Sequence, residues 1–166
     1  TTAATPSTPY PDEGQCPDTQ LDWNASPDVW MHWTADLNGI ATFSTCDIET
    51  YDTSMVLYEV DCDNQVACNG DGDGGFNCQQ YYSLIEYPVT AGTTYYIRAG
   101  GWQGSTGTGS IQVSFIGDND TGACCTDSIC NDDLTAATCD AIGGNWYHEN
   151  TCAEIVCTDE PCTNTP

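Results

Sequence analysis

Between residues 28 and 116, apolar side chains recur at every second position in short runs, and turn-forming residues separate the runs. Asp28–Ala35 carries Trp30 and Trp33. Gly39–Cys46 sets Ala41, Phe43 and Thr45 against Ile40, Thr42 and Ser44. Ser54–Val60 follows, and Val66-Ala67 leads into a glycine-rich acidic stretch. Ser83–Val89 places Ile85, Tyr87 and Val89 on one face. Thr93–Ala99 does the same with Tyr95, Ile97 and Ala99, and Gly109–Ile116 with Ile111, Val113 and Phe115. Period-two alternation with β-branched and aromatic enrichment predicts an all-β fold, an antiparallel β-sandwich over residues 16–117.

The flanks read differently. Residues 1–15 (TTAATPSTPYPDEGQ) form a Thr/Pro-rich arm with almost no apolar content, the composition of a flexible or O-glycosylated linker. Such an arm orders only where its own sandwich, glycans or a neighbouring subunit holds it. Residues 118–121 (DNDT) form a polar joint. Residues 118–166 then make up a small disulfide-rich unit with a C-terminal tail. In it, Leu134–Ala141 is predicted as one short helix with Asn131 to Asp133 near its start and Gly143 past its end. Trp146 is the expected packing centre.

Cysteine sharpens this picture. The chain has 12, none in the paired CxxC spacing of a zinc ribbon, so disulfides in an oxidising compartment are the reading. Cys124, Cys125, Cys130, Cys139, Cys152 and Cys157 would give three bridges to a unit too small for a core of its own. The first domain holds Cys16, Cys46, Cys62, Cys68 and Cys78, and Cys162 lies in the tail. Spacing does not fix connectivity. If Cys62–Cys68 and Cys46–Cys78 close locally, Cys16 and Cys162 remain, to clamp the ends of one chain or to link successive subunits.

Charge narrows the partners. One Arg and no Lys stand against 25 Asp and Glu, a net charge of −24. That argues against nucleic acid and anionic membrane surfaces, which need basic side chains. It also rules out lysine Schiff-base chemistry and lysine isopeptide cross-links. No apolar run reaches membrane-spanning length, so membrane insertion is not expected. No signal peptide is visible, the expectation for a mature secreted chain. Asn24 and Asn119 fit the N-glycosylation pattern.

The acidic stretch CNGDGDGGFNC, Cys68 to Cys78, is the main chemical signal. Laid on the calcium-loop template, Asn69, Asp71 and Asp73 fall on positions 1, 3 and 5, Gly74 on 6, and Gly75 offers its carbonyl at 7. Asn77 adds a further oxygen. Position 12 is Gln80 where the template has a bidentate Glu, so an outside carboxylate must complete the shell. The competing reading is a solvated Asp-Gly hairpin. The strand flanks remove a helical calcium hand. DNDTG at 118–122 reads as an acidic hinge with Asx-type turns before it reads as a second metal site.

Catalytic signals are weak. His32 and His148 have no nucleophile motif beside them and no HExxH is present. The carboxylates lie in glycine-rich loops, where they read as ligands or solubilisers. Aromatic residues are the better route to a binding role: Trp102 and Tyr82, with Tyr81 and Trp23, are candidates for stacking on sugars.

In order, DVWMHWTA, GIATFSTC, YDTSMVLYEV, the acidic loop, VTAGTTYYIRAGG and GTGSIQVSF resemble the bacterial pre-peptidase C-terminal-type β-sandwich over residues 28–117. The segment after residue 121 resembles small cysteine-rich repeats of secreted planctomycete-like proteins. The first resemblance implies a jelly-roll-like accessory domain without catalytic activity, some members of which bind calcium. It also implies Asp52 as the outside ligand. The expected function is a non-enzymatic secreted structural or adhesive protein at the cell surface. It would be a subunit of an extracellular fibre or matrix stabilised by Ca²⁺ and disulfides, with copies of itself head-to-tail or surface glycans as partners. The alternative is a carbohydrate- or protein-binding accessory module of a larger secreted enzyme. A small secreted hydrolase ranks last.

Overall fold

The computed structural model describes residues 4–8, 10–12, 26–46, 51–71 and 81–157. The chain divides into two compact units, Thr1–Phe115 and Ile116–Pro166.

The first unit is an antiparallel, jelly-roll-like sandwich. Its strands are β1 (Asp28–Thr34), β2 (Gly39–Ser44), β3 (Thr53–Glu59), β4 (Gln65–Asn69), β5 (Leu84–Val89), β6 (Thr94–Gly101) and β7 (Gln112–Gly117). One sheet has the order β1-β6-β3-β4 and the other β5-β2-β7. The alternation read in the sequence is what packs them together. Ala41, Phe43, Met55, Leu57, Ile85, Val89, Tyr95 and Ile97 are all buried in one cluster, with Trp33, Ile111 and Phe115 against it. Removing Phe43 to Ala would cost ~3–5 kcal/mol on the scale of such core truncations.

Strand β3 departs from simple alternation, because six of its seven residues are buried. Met55 and Leu57 face the core. Val56 and Tyr58 face outward and are covered by Trp30, Tyr96, Trp102 and Cys68. Register explains the grouping: Trp30 stands opposite Arg98, Arg98 opposite Val56, and Val56 opposite Cys68, one rung across all four strands. The outer face of this sheet is therefore a second packed surface.

The second unit holds β8 (Thr121–Thr126), β9 (Ile129–Thr135), α1 (Ala136–Ala141) and β10 (Asn145–His148), with the sheet order β10-β8-β9. Three bridges close it: Cys124–Cys139, Cys125–Cys157 and Cys130–Cys152. Each closes a loop of 15 to 32 residues, worth ~3 kcal/mol or more in chain entropy. The helix starts later than its sequence predicts. Leu134 and Asn131 pair with β8, and Thr135 caps the helix by accepting the Thr138 N–H at 3.2 Å. The packing centre also differs. Trp146 is half-buried and donates its indole N–H to the Leu134 carbonyl at 2.7 Å. The fully buried residues are Cys124, Cys139 and Ala123, so the first bridge is the centre. Gly144 is required beside it, because a Cβ there would meet both sulfurs of that bridge.

The local Cys62–Cys68 pairing does not form. Cys62 is exposed with a free thiol in the β3–β4 turn, whereas Cys68 is disulfide-bonded, as is Cys46. Cys68 lies three residues into β4, about 10 Å of strand rise beyond its start. A disulfide needs Cα atoms within about 7 Å. Cys16, Cys78 and Cys162 lie outside the described residues.

Candidate functional site

The β3–β4 pairing brings two carboxylates to one end of the four-stranded sheet. Met55 stands opposite Asn69, so Asp52, three residues before Met55, and Asp71, two residues after Asn69, meet there. Asp52, Ser54, Gly70, Asp71, Tyr81 and Trp102 line a cavity of about 350 Å³. The backbone around it is anchored: the Asp52 carbonyl accepts the Trp102 N–H at 3.1 Å, and the Tyr81 carbonyl accepts the Thr53 N–H at 3.2 Å. Tyr81 and Gln103 hold positive φ of 64° and 48°, conformations that non-glycine residues adopt at a cost and that collect at functional sites.

Burial, and then the charge of Asp71, push the Asp52 carboxyl up to about 6. No Lys or Arg side chain relieves the pair, because the chain's one Arg is engaged elsewhere on the sheet. Two carboxylates, a hydroxyl, a phenol and backbone carbonyls make a hard-oxygen donor set, and the raised proton affinity marks a place where positive charge is favourable. These residues fit a Ca²⁺ ion, which Asp52 and Asp71 would hold. The Asn69 amide oxygen, assigned to position 1 of the loop, instead accepts the Leu84 N–H at 3.0 Å and ties β4 to β5. Asp73, Gly75 and Asn77 lie outside the described residues, as do Trp23 and Asn24.

Of the stacking candidates, Trp102 lines this cavity and also packs on the outer cluster of β3. Tyr82 is corrected: it is buried at 1% exposure and cannot face a ligand, whereas Tyr81 is 49% exposed and lines the cavity. Tyr81 sits in the turn before β5 in a left-handed backbone conformation, whereas Tyr82 is turned into the interior. A larger cavity of about 550 Å³, bounded by Val29, Met31, Thr45, Tyr51, Ala99 and Ile111, carries neither carboxylate nor imidazole among the described residues. The charged chemistry is in the smaller one.

A second constellation was not predicted from the sequence. Arg98 is fully buried and pairs with Asp28 at 2.7 Å, both side chains without exposure. Its guanidinium lies 5.4 Å from the Trp30 ring centroid. Ser7, in the N-terminal arm, joins this knot. Further along the arm, the Gln65 amide accepts the Asp12 N–H at 2.9 Å and donates to the Asp12 carbonyl at 3.0 Å. The arm is held by its own sandwich at two points. The available signal was Arg98 itself: a single cation on a strand of core periodicity must be paired where it is buried.

The remaining candidates separate cleanly. Asp120 accepts the Gly117 N–H at 2.7 Å and lies 3.4 Å from His148 Nε2, so its carboxylate closes the turn after β7. Asn119 is exposed in that turn. His32 is exposed, with its ring beside Tyr96. The sulfurs of Cys125, Cys130 and Cys157 lie within 4.8 Å of one another, but all three belong to disulfides and offer no thiolate. Burial, then Asp63 and Asp61, raise the pKa of the Cys62 thiol. Among the described residues no helix is long and apolar enough to cross a membrane. Comparison with protein-family models, with curated proteins and with solved structures finds no match.

Proposed function

We propose that this protein is a non-enzymatic, secreted structural or adhesive subunit of an extracellular fibre or surface matrix, stiffened by Ca²⁺ and disulfides. The observation that carries the reading is the seated arm: a Thr/Pro-rich segment whose Ser7 and Asp12 are hydrogen-bonded to the sandwich. Sheet modules that hold extended segments in this way can be strung together by them. The disulfide-closed second unit and the excess of acidic residues suit an oxidising, calcium-containing medium outside the cell. Ca²⁺ at Asp52 and Asp71 would supply the positive charge that this pair of carboxylates lacks. The resemblance to pre-peptidase C-terminal-type sandwiches points the same way. Sedimentation velocity and electron microscopy in millimolar Ca²⁺ test the reading. It expects oligomers or fibres, weakened by chelation. A single monomeric species at all concentrations would contradict it.

A second reading, a carbohydrate-binding accessory module, draws on Trp102 and Tyr81 flanking the Asp52–Asp71 cavity. Aromatic faces beside carboxylates suit sugar rings and their hydroxyls. Binding on a glycan array that Trp102→Ala abolishes would favour it over the fibre.

A further inference from the structure

Ser7 is bound as a ligand is bound. Its N–H donates to Asp28 Oδ2 at 2.9 Å and its hydroxyl donates to Asp28 Oδ1 at 2.6 Å. The same hydroxyl accepts from Trp30 Nε1 at 2.8 Å, and the Ser7 carbonyl accepts from Arg98 Nη2 at 2.8 Å. Every polar group of this residue is satisfied, and all by side chains of β1 and β6. Those side chains are rigidly placed. Asp28 and Arg98 have no exposed side-chain surface, and Trp30 and Arg98 stand opposite each other across the strand pair. A preorganised site of this kind binds with little ordering cost.

The chemistry is selective. Alanine at this position takes away the partner of the Trp30 N–H and of one Asp28 oxygen in a partly buried site. An acidic or phosphorylated residue brings a negative charge onto Asp28. The second anchor, Gln65 on the backbone of Asp12, reads main chain only. From Ser7 to Asp12 a chain spans at most ~18 Å. The sheet therefore reads one unmodified serine and, five residues on, the main chain of Asp12.

We infer that this outer face is a peptide receptor, and that it takes the N-terminal arm of a second copy of the chain as well as its own. The arm of a second copy offers an identical face the same Ser7 and the same Asp12 main chain. The inference deepens the fibre reading by naming the joint, but peptide binding can succeed where no fibre forms.

The test uses the full chain with Ser7→Asp, whose own arm is repelled by Asp28. A fluorescent peptide of residues 1–13 is titrated by anisotropy. Binding is expected to the Ser7→Asp chain and at least ten-fold weaker to the wild-type chain, whose tethered arm competes at high effective concentration. A Ser7→Ala peptide is expected to bind at least ten-fold more weakly than the native one. No binding to a Ser7→Asp chain with a native circular dichroism spectrum would overturn the inference, as would equal binding of the two peptides. Should that variant not fold, the full-length Ser7→Ala chain is titrated with the same expectations. Peptide binding without fibres would leave the receptor standing and remove the fibre. Fibres that form without regard to Ser7 would do the reverse.

Discussion

Asp28 and Asp52 lie near the same end of one sheet and reach neutrality by opposite routes. Asp28 stands opposite Gly100, and Ser54, two residues after Asp52, stands opposite Gly100 from the other side. Asp28 is fully buried and holds the chain's only Arg, the Trp30 ring and Ser7 around it. Asp52 is half-buried, faces Asp71, and keeps its proton to about pH 6. One cation among 25 acids can complete only one site from within. The first is finished by the protein's own residues and becomes a structural knot. The second has no cation of the protein's own beside it.

The largest expected effect breaks the finished site. Arg98→Met leaves Asp28 buried and unpaired, and is expected to lower stability by ~3–5 kcal/mol in urea unfolding. Pairing it with Asp28→Leu should recover part of that loss. A double variant as unstable as the single one would show that the ion pair is not the centre of the knot.

A smaller effect comes from the arm. Ser7→Ala removes two hydrogen bonds and should cost ~1–2 kcal/mol, with faster proteolysis beside the exposed Tyr10. Unchanged protection of the arm would mean that Ser7 does not hold it.

The smallest effect belongs to the unfinished site. A carboxyl whose pKa is raised on folding binds its proton more tightly in the folded state, so ionising it costs stability. In chelator, stability should therefore fall as pH rises from 3.8 to about 6 through this group, and Asp52→Asn should remove that component. A contribution of opposite sign, gained across this window and lost with Asp52→Asn, would contradict the unpaired carboxylate.

The sandwich was legible because its code is local. Ala41, Phe43, Tyr95 and Ile97 alternate with polar neighbours, and that alternation is what burial requires. The second unit was only half legible. Its cysteines announced three bridges, but β8 (TGACCT) and β9 (ICNDDLT) carry no apolar alternation, and spacing does not specify which cysteines pair. The Asp52–Asp71 meeting was anticipated through resemblance, since hairpin register joins residues nineteen positions apart. The Ser7 knot was not anticipated. A serine in a Thr/Pro arm looks like linker until strand register sets Asp28, Trp30 and Arg98 beneath it. Tyr82 differs from its reading for a related reason: neighbouring tyrosines look alike until the fold buries one and exposes the other.

Asp52 and Asp71 are proposed to form a site completed by a divalent cation. Thermal unfolding of the wild-type chain and of the Asp52→Asn/Asp71→Asn variant, each with millimolar Ca²⁺ and with chelator, tests it most directly. At one hundred times the dissociation constant a bound ion stabilises by ~2.7 kcal/mol. The account predicts a rise of several degrees for the wild type and little or none for the variant. Equal melting temperatures of the wild type in Ca²⁺ and in chelator would contradict it.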